Sequence, residues 1–245
     1  MKIVIKISLL ISFFLCSIAA VNAQYIPKKR LTVDIRAGVN ISEMDMWDAV
    51  KEVGVNKFKQ PKIGLNLGIN VNYKLIDNFQ FQTGFFVTKK GLKQHIKKAP
   101  DGFGASDPNI YVLNYSERRT TTGNYLQVPF NLGYELYVTK LWAFNINAGA
   151  YLAYGYKGKG DFATEVTYRN GPEGVDPVTD KSDGEYDTFT PDMWKRLDYG
   201  LNAHVGVIYD IYTFIISYEY GLYNISRSNP ELKNRNFSAS IGFRF

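Results

Sequence analysis

Between Lys62 and Leu75 every odd position is apolar or aromatic: Ile63, Leu65, Leu67, Ile69, Val71, Tyr73 and Leu75. Every even position is small or polar: Gly64, Asn66, Gly68, Asn70, Asn72 and Lys74. Strict period-2 alternation over such a length makes a β-strand with one greasy and one wet face, whereas a helix would scatter the same residues round its circumference. The same grammar recurs over 31–39, 79–87, 126–136, 142–154, 197–209, 212–222 and 237–245, so eight strands are expected. Pro129 falls inside one of them and, lacking an amide donor, predicts a bulge or kink.

Connections alternate in length. Tight hairpins are expected at Asp77-Asn78, Thr139-Lys140 and Asp210-Ile211, and long polar loops at 42–61, 90–123, 157–195 and 224–235. Short turns at one end and long loops at the other are the organisation of an outer-membrane barrel, with the turns in the periplasm and the loops outside. The expected fold is therefore all-β: an eight-stranded antiparallel transmembrane up-and-down β-barrel with short periplasmic turns and long extracellular loops. An even strand count puts both termini on the turn side.

Residues 1–23 read as a secretory signal peptide. Lys2 and Lys6 charge its start, Ile7 to Ile18 form its apolar core, and Val21-Asn22-Ala23 directs cleavage between Ala23 and Gln24. The remaining 24–245 form one barrel domain. Cys16 is the only cysteine and lies in this leader, which excludes disulfide scaffolds and zinc ribbons. Phe14-Leu15 before it is too bulky for a lipoprotein signal. Past the leader no apolar run approaches the ~20 residues of a spanning helix. The formal net charge of +6 comes with no basic stripe interleaved with aromatics, so nucleic acid is not an expected partner.

Two closed architectures fit alternating strands. A soluble lipocalin-like carrier of an apolar ligand turns its greasy face inward; a membrane barrel turns it toward lipid. The wet faces carry Gly, Asn, Gln and Ser with few long charged groups, which suits a narrow interior better than a surface in water. On the greasy faces, Tyr73, Phe79, Trp142, Tyr209, Tyr212 and Phe245 gather at the short-turn end. Tyr154, Tyr156, Tyr199, Tyr220 and Phe237 gather toward the loops. Two aromatic belts about an aliphatic waist match two lipid–water interfaces.

The wet faces also place Asp34, Arg36, Lys74, Glu135, Asp198, Glu219 and Arg244, with His204, in the lumen. Charges there must pair or hydrate, so an internal network that plugs the barrel is expected. His95 and His204 are the only candidate neutral-pH bases, and each is read as a structural histidine. An enzyme acting on membrane lipid would need a Ser or carboxylate beside one of them. No catalytic residue, metal or cofactor is assigned.

The first loop, Ser42–Pro61, with Met44, Met46 and Trp47, is expected to form a short amphipathic turn on the barrel mouth. The acidic third loop is expected to be solvated. Its Asp180–Asp187 stretch fails as a calcium loop, because an EF-hand register ending at Gly184 puts Thr179 and Lys181 at ligand positions.

Tyr125-Leu-Gln-Val-Pro-Phe-Asn-Leu-Gly-Tyr134 resembles the Y-L-x-I-P-L strand of the PorT-type outer-membrane β-barrel proteins of Bacteroidota, Gram-negative bacteria. Arg36-Ala-Gly-Val-Asn40, the closing Gly242-Phe-Arg-Phe245 and the leader agree with it. The resemblance implies outer-membrane residence in the cell envelope and insertion by the barrel-assembly machinery, with the last strand, Phe243 and Phe245 as the signal. It carries no catalytic motif. The expected role is structural or interactive. The expected partners are outer-membrane lipid and lipopolysaccharide, with the loops as a surface for a protein partner.

Overall fold

The structure is a computed structural model that describes residues 29–47, 59–97, 110–170, 176–228 and 231–245. The expected leader with its expected Ala23–Gln24 junction, and residues 48–58 of the expected first loop, lie outside the described residues.

Among the described residues nine strands run in chain order: β1 (Leu31–Trp47), β2 (Lys59–Ile76), β3 (Phe79–Ile96), β4 (Ile110–Tyr137), β5 (Trp142–Asn170), β6 (Val178–Asp187), β7 (Leu197–Tyr209), β8 (Tyr212–Gly221) and β9 (Glu231–Arg244). All pair antiparallel. Sequential neighbours join from β1 to β5, β5 continues to β7, then β8 and β9, and β9 returns to β1. Eight strands thus close a ring, from which no sheet edge is left open. β6 stands outside the ring and pairs with the far half of β5.

The tight hairpins form where expected, with Asp77 and Asp210 at positive φ (44° and 53°) to reverse the chain. The opposite end differs from expectation. The stretches 90–123 and 157–195 are largely strand, because β4 runs for 28 residues and β5 for 29. A spanning strand needs only about 9–11. The surplus, joined by β6, is a three-stranded arm standing on one side of the barrel mouth. Its Thr, Val and Tyr residues suit a sheet. The first loop is likewise corrected: Ser42–Trp47 continue β1, and Lys59–Pro61 open β2.

Pro129 needs no bulge. The register between β3 and β4 is the same on both sides of it, Thr83 opposite Phe130 and Phe86 opposite Gln127. Thr83 Oγ1 also donates to its carbonyl at 2.8 Å. The proline removes ladder hydrogen bonds without inserting a residue, so nothing is displaced.

The greasy faces point outward. Ile63, Leu67, Phe85, Phe130, Ile146, Val205, Ile216 and Ile241 are all exposed, while the wet-face Asn70, Gln82, Asn131, Asn147 and Asn236 are buried. At the turn end the aromatics touch across strands. Trp142 lies 4.7 Å from Tyr209, Phe79 5.2 Å from Tyr134 and Tyr212 5.5 Å from Phe243, ring centre to ring centre.

Candidate functional site in the barrel lumen

The interior holds two ion clusters. Near the turn end, β1, β4 and β9 bring Asp34, Arg36, Glu135 and Arg244 together. Arg244 donates from Nε to Asp34 Oδ1 at 2.6 Å and from Nη1 to Glu135 Oε2 at 2.7 Å. Arg36 Nη2 reaches Asp34 Oδ2 at 2.8 Å, and Asn72 Nδ2 donates to the same oxygen at 3.1 Å. Tyr137 donates to Glu135, and the Lys74 ammonium lies 4.9 Å from the centre of the Tyr137 ring. One arginine fork thus ties the first strand to the last and to β4 across the barrel.

Near the mouth the centre is Lys90, whose side chain is fully buried. Its Nζ lies 3.2 Å from Asp198 Oδ2 and 3.0 Å from Glu219 Oε2. It also sits 4.4 Å from the Tyr151 ring centre and 5.6 Å from that of Tyr125. Asn234 donates to Asp198 at 2.8 Å, and Gln127 and Asn236 donate to Glu219 at 2.6 and 3.1 Å. With Lys90 included, Arg36, Lys74, Lys90 and Arg244 balance Asp34, Glu135, Asp198 and Glu219.

The residues expected in the lumen from sequence therefore divide between two sites: Asp34, Arg36, Lys74, Glu135 and Arg244 below, Asp198 and Glu219 above. Lys90, Tyr125 and Tyr151 escaped the sequence reading. The signal was parity: Gln80, Gln82, Gly84, Phe86 and Thr88 put Lys90 on the inner face, provided the strand continues past Val87. His204 faces a polar cavity of about 50 Å³ between the clusters, lined also by Arg36, Gln127, Asn131, Asn202 and Ser238. Among the described residues His204 Nε2, Asn202 Oδ1, Gln127 Oε1 and Arg36 Nε have no protein partner there, and a space of this size and polarity takes a few water molecules. His95 lies elsewhere, near the far end of β3 opposite Arg118 of β4.

Over the upper cluster lies an apolar lid. Met44, Leu92, Trp194 and Ile225 are buried together, with Phe189, Met193, Tyr223 and Leu232 packed on them. The segment from Thr188 to Arg196 crosses the mouth, and its backbone is tied at Trp194 N to Thr188 O and at Lys195 N to Ile225 O. Phe189 can lie flat on the wall because Gly123, Gly155 and Gly158 are beneath it. A Cβ on Gly155 would meet the Phe189 ring at 2.2 Å. Phe189 then stacks edge-on against Tyr125 at 5.6 Å.

Phe189→Ala is expected to release this lid without opening the barrel. Removing a half-buried ring costs about 2 kcal/mol, so amide exchange at Trp194 and Lys195 should speed up by about tenfold or more. The β7–β8 ladder amides should keep their rates. Equal acceleration in both places would mean that the lid has no separate stability.

Residues 22–227 match the outer membrane protein beta-barrel domain. The chain belongs to that family. No curated protein matches the chain. Among solved structures it is similar to the attachment invasion locus protein Ail of Yersinia pestis, crystallised with the heparin analogue sucrose octasulfate. The identity is 13%, over 89% of this chain and 100% of that one, with a TM-score of 0.35. Neisserial surface protein A is 12% identical over 89% of this chain and 98% of its own, at TM-score 0.37. The outer membrane protease OmpT of Escherichia coli is 11% identical over 92% and 99%, at 0.29.

Proposed function

We propose that this chain is an integral outer-membrane barrel with a closed lumen, whose role is structural or interactive and whose contact surface is the arm above the mouth. The observation that carries the reading is the inverted burial. The apolar faces are exposed between two aromatic girdles, and the polar faces are buried as paired ions. In this reading the tight turns face the periplasm and the arm faces outward. A soluble carrier of an apolar ligand would need the opposite distribution, a dry apolar interior.

The lumen is read as a plug. Two ion clusters and an apolar lid occupy it, and eight strands enclose an interior about wide enough for side chains alone. Catalysis is not part of the proposal: His204 is enclosed in the lumen, and His95 stands opposite Arg118 rather than a carboxylate. The finer PorT-type affinity rests on the Tyr125–Tyr134 strand, whose Tyr125 packs in the upper cluster. Phe243 and Phe245, both exposed at the turn end, are proposed as the signal read by the assembly machinery.

The test has two parts. Unheated protein extracted from outer membranes should migrate differently from boiled protein on a gel. In planar bilayers the folded protein should give no reproducible conductance steps. Stable steps would overturn the plug, and a soluble periplasmic protein with no mobility shift would overturn the membrane reading.

A further inference from the structure

Just above the apolar belt, one wall of the barrel carries cations without carboxylate partners. On β3 the outward series runs from Phe85 and Val87 directly to Lys89 and Lys93; on β5 it runs from Tyr154 and Tyr156 to Lys157. Lys89 stands opposite Asn124 of β4, which stands opposite Lys157. Two strand spacings separate the lysines by about 10 Å, and Lys93 lies about 13 Å further up β3. All three are exposed, and none has a carboxylate within 4.0 Å among the described residues. Arg118, one row above Lys93 on β4, is exposed and, among the described residues, has no carboxylate within 4.0 Å.

Other walls of the rim differ. There Lys59 meets Glu43 at 3.7 Å, Lys233 meets Glu231 at 3.5 Å and Arg235 meets Asp45 at 3.2 Å. The acidic boundary of the free patch is also clear. Lys159 is held by Glu185 at 3.1 Å, and Asp161 occupies the row of Lys93 with Thr120 between them.

We propose that Lys89, Lys93 and Lys157 bind the phosphates of an outer-leaflet glycolipid, with the acyl chains of that lipid lying on the apolar belt directly beneath. Charge selects the phosphate, and continuity with the greasy wall selects a lipid over a soluble anion. Asn124, between Lys89 and Lys157, offers its amide donors to the same oxygens. Lysine suits a headgroup bearing several phosphates, since each ammonium is a mobile point charge with three donors. This site rests on the outer-membrane reading with the arm facing outward.

The experiment titrates bisphosphorylated lipid A, and separately its dephosphorylated form and inorganic phosphate, onto the folded full chain in a neutral detergent. The wild-type protein should bind the phosphorylated lipid and ignore the other two. Each lysine neutralised to glutamine should weaken binding by about fivefold. The variant Lys89→Gln, Lys93→Gln, Lys157→Gln should therefore lose about a hundredfold, while Lys59→Gln, Lys233→Gln, Arg235→Gln binds as wild type. Equal loss in both variants, or equal binding of dephosphorylated lipid, would overturn the site. Inorganic phosphate that competes as well as the lipid would overturn the assignment to lipid. The boiled-against-unheated mobility shift is recorded on every variant. Loss of that shift in the wild type defeats the membrane reading itself, so the two failures are distinct.

Discussion

Replacing Lys90 with methionine is expected to destabilise the barrel by about 3–5 kcal/mol, because it strands two carboxylates in a place from which water is excluded. Asp198 and Glu219 are both buried, and their remaining hydrogen bonds come from neutral amides and from Tyr151, which cannot replace a full charge at about 3 Å. Methionine has the length to fill the space between the Tyr125 and Tyr151 rings, so the loss is electrostatic rather than one of packing. That separation can be tested directly. Adding Asp198→Asn and Glu219→Gln to Lys90→Met removes the stranded charge and should recover most of the loss, since a buried ion network replaced by well-packed neutral groups is often close to neutral in stability. Urea midpoints of the three proteins in lipid vesicles give the comparison. A Lys90→Met barrel within about 1 kcal/mol of wild type would mean that water reaches the cluster through the lid.

The two clusters also explain what could be read from the sequence and what could not. Alternation was legible wherever one face meets hydrocarbon and the other meets the lumen, because the contrast between Leu65 or Ile69 and Asn66 or Asn70 is then forced on every second residue. The outward direction of the greasy face followed from the compactness of the wet one. Above the belt, both faces of the sheet meet water or polar groups and the contrast disappears. Ser116–Thr122 and Phe162–Tyr168 carry no period-2 signal, so β6 and the far halves of β4 and β5 looked like loops. Only their enrichment in Thr, Val and aromatics marked them as sheet.

The same loss of signal hid Lys90, three residues beyond the last apolar outward residue of β3. The charge count carried a trace of it, since the lumen set read from sequence had one more anion than cation. Which carboxylate meets which cation was never in the sequence. It depends on the register around the ring, which places Arg244 beside both Asp34 and Glu135 although those residues stand 210 and 109 positions away in the chain. Phe189 depends on long-range pairing too, because its seat exists only where Gly123 meets Gly158 across β4 and β5.

Val205→Arg is expected to cost about 2–4 kcal/mol in a bilayer, and Leu197→Arg on the same strand only about 0–1 kcal/mol. Both side chains point away from the barrel, yet they differ in depth. Val205 lies between the Tyr199 and Tyr209 girdle residues, opposite Ile146 on β5 and Ile216 on β8, so its surroundings are aliphatic on both sides. Leu197 begins β7 at the mouth, next to Arg196, where an arginine head can reach the interface along its own stem. The same two substitutions on a barrel standing in water would each fall within about ±0.5 kcal/mol, because an exposed valine there loses nothing by becoming charged. Folding titrations in vesicles therefore measure the medium that surrounds the apolar face. A steep difference between the two positions locates hydrocarbon at Val205. Two costs near zero would remove lipid from this wall, and the lysine patch above it would then have no leaflet to face.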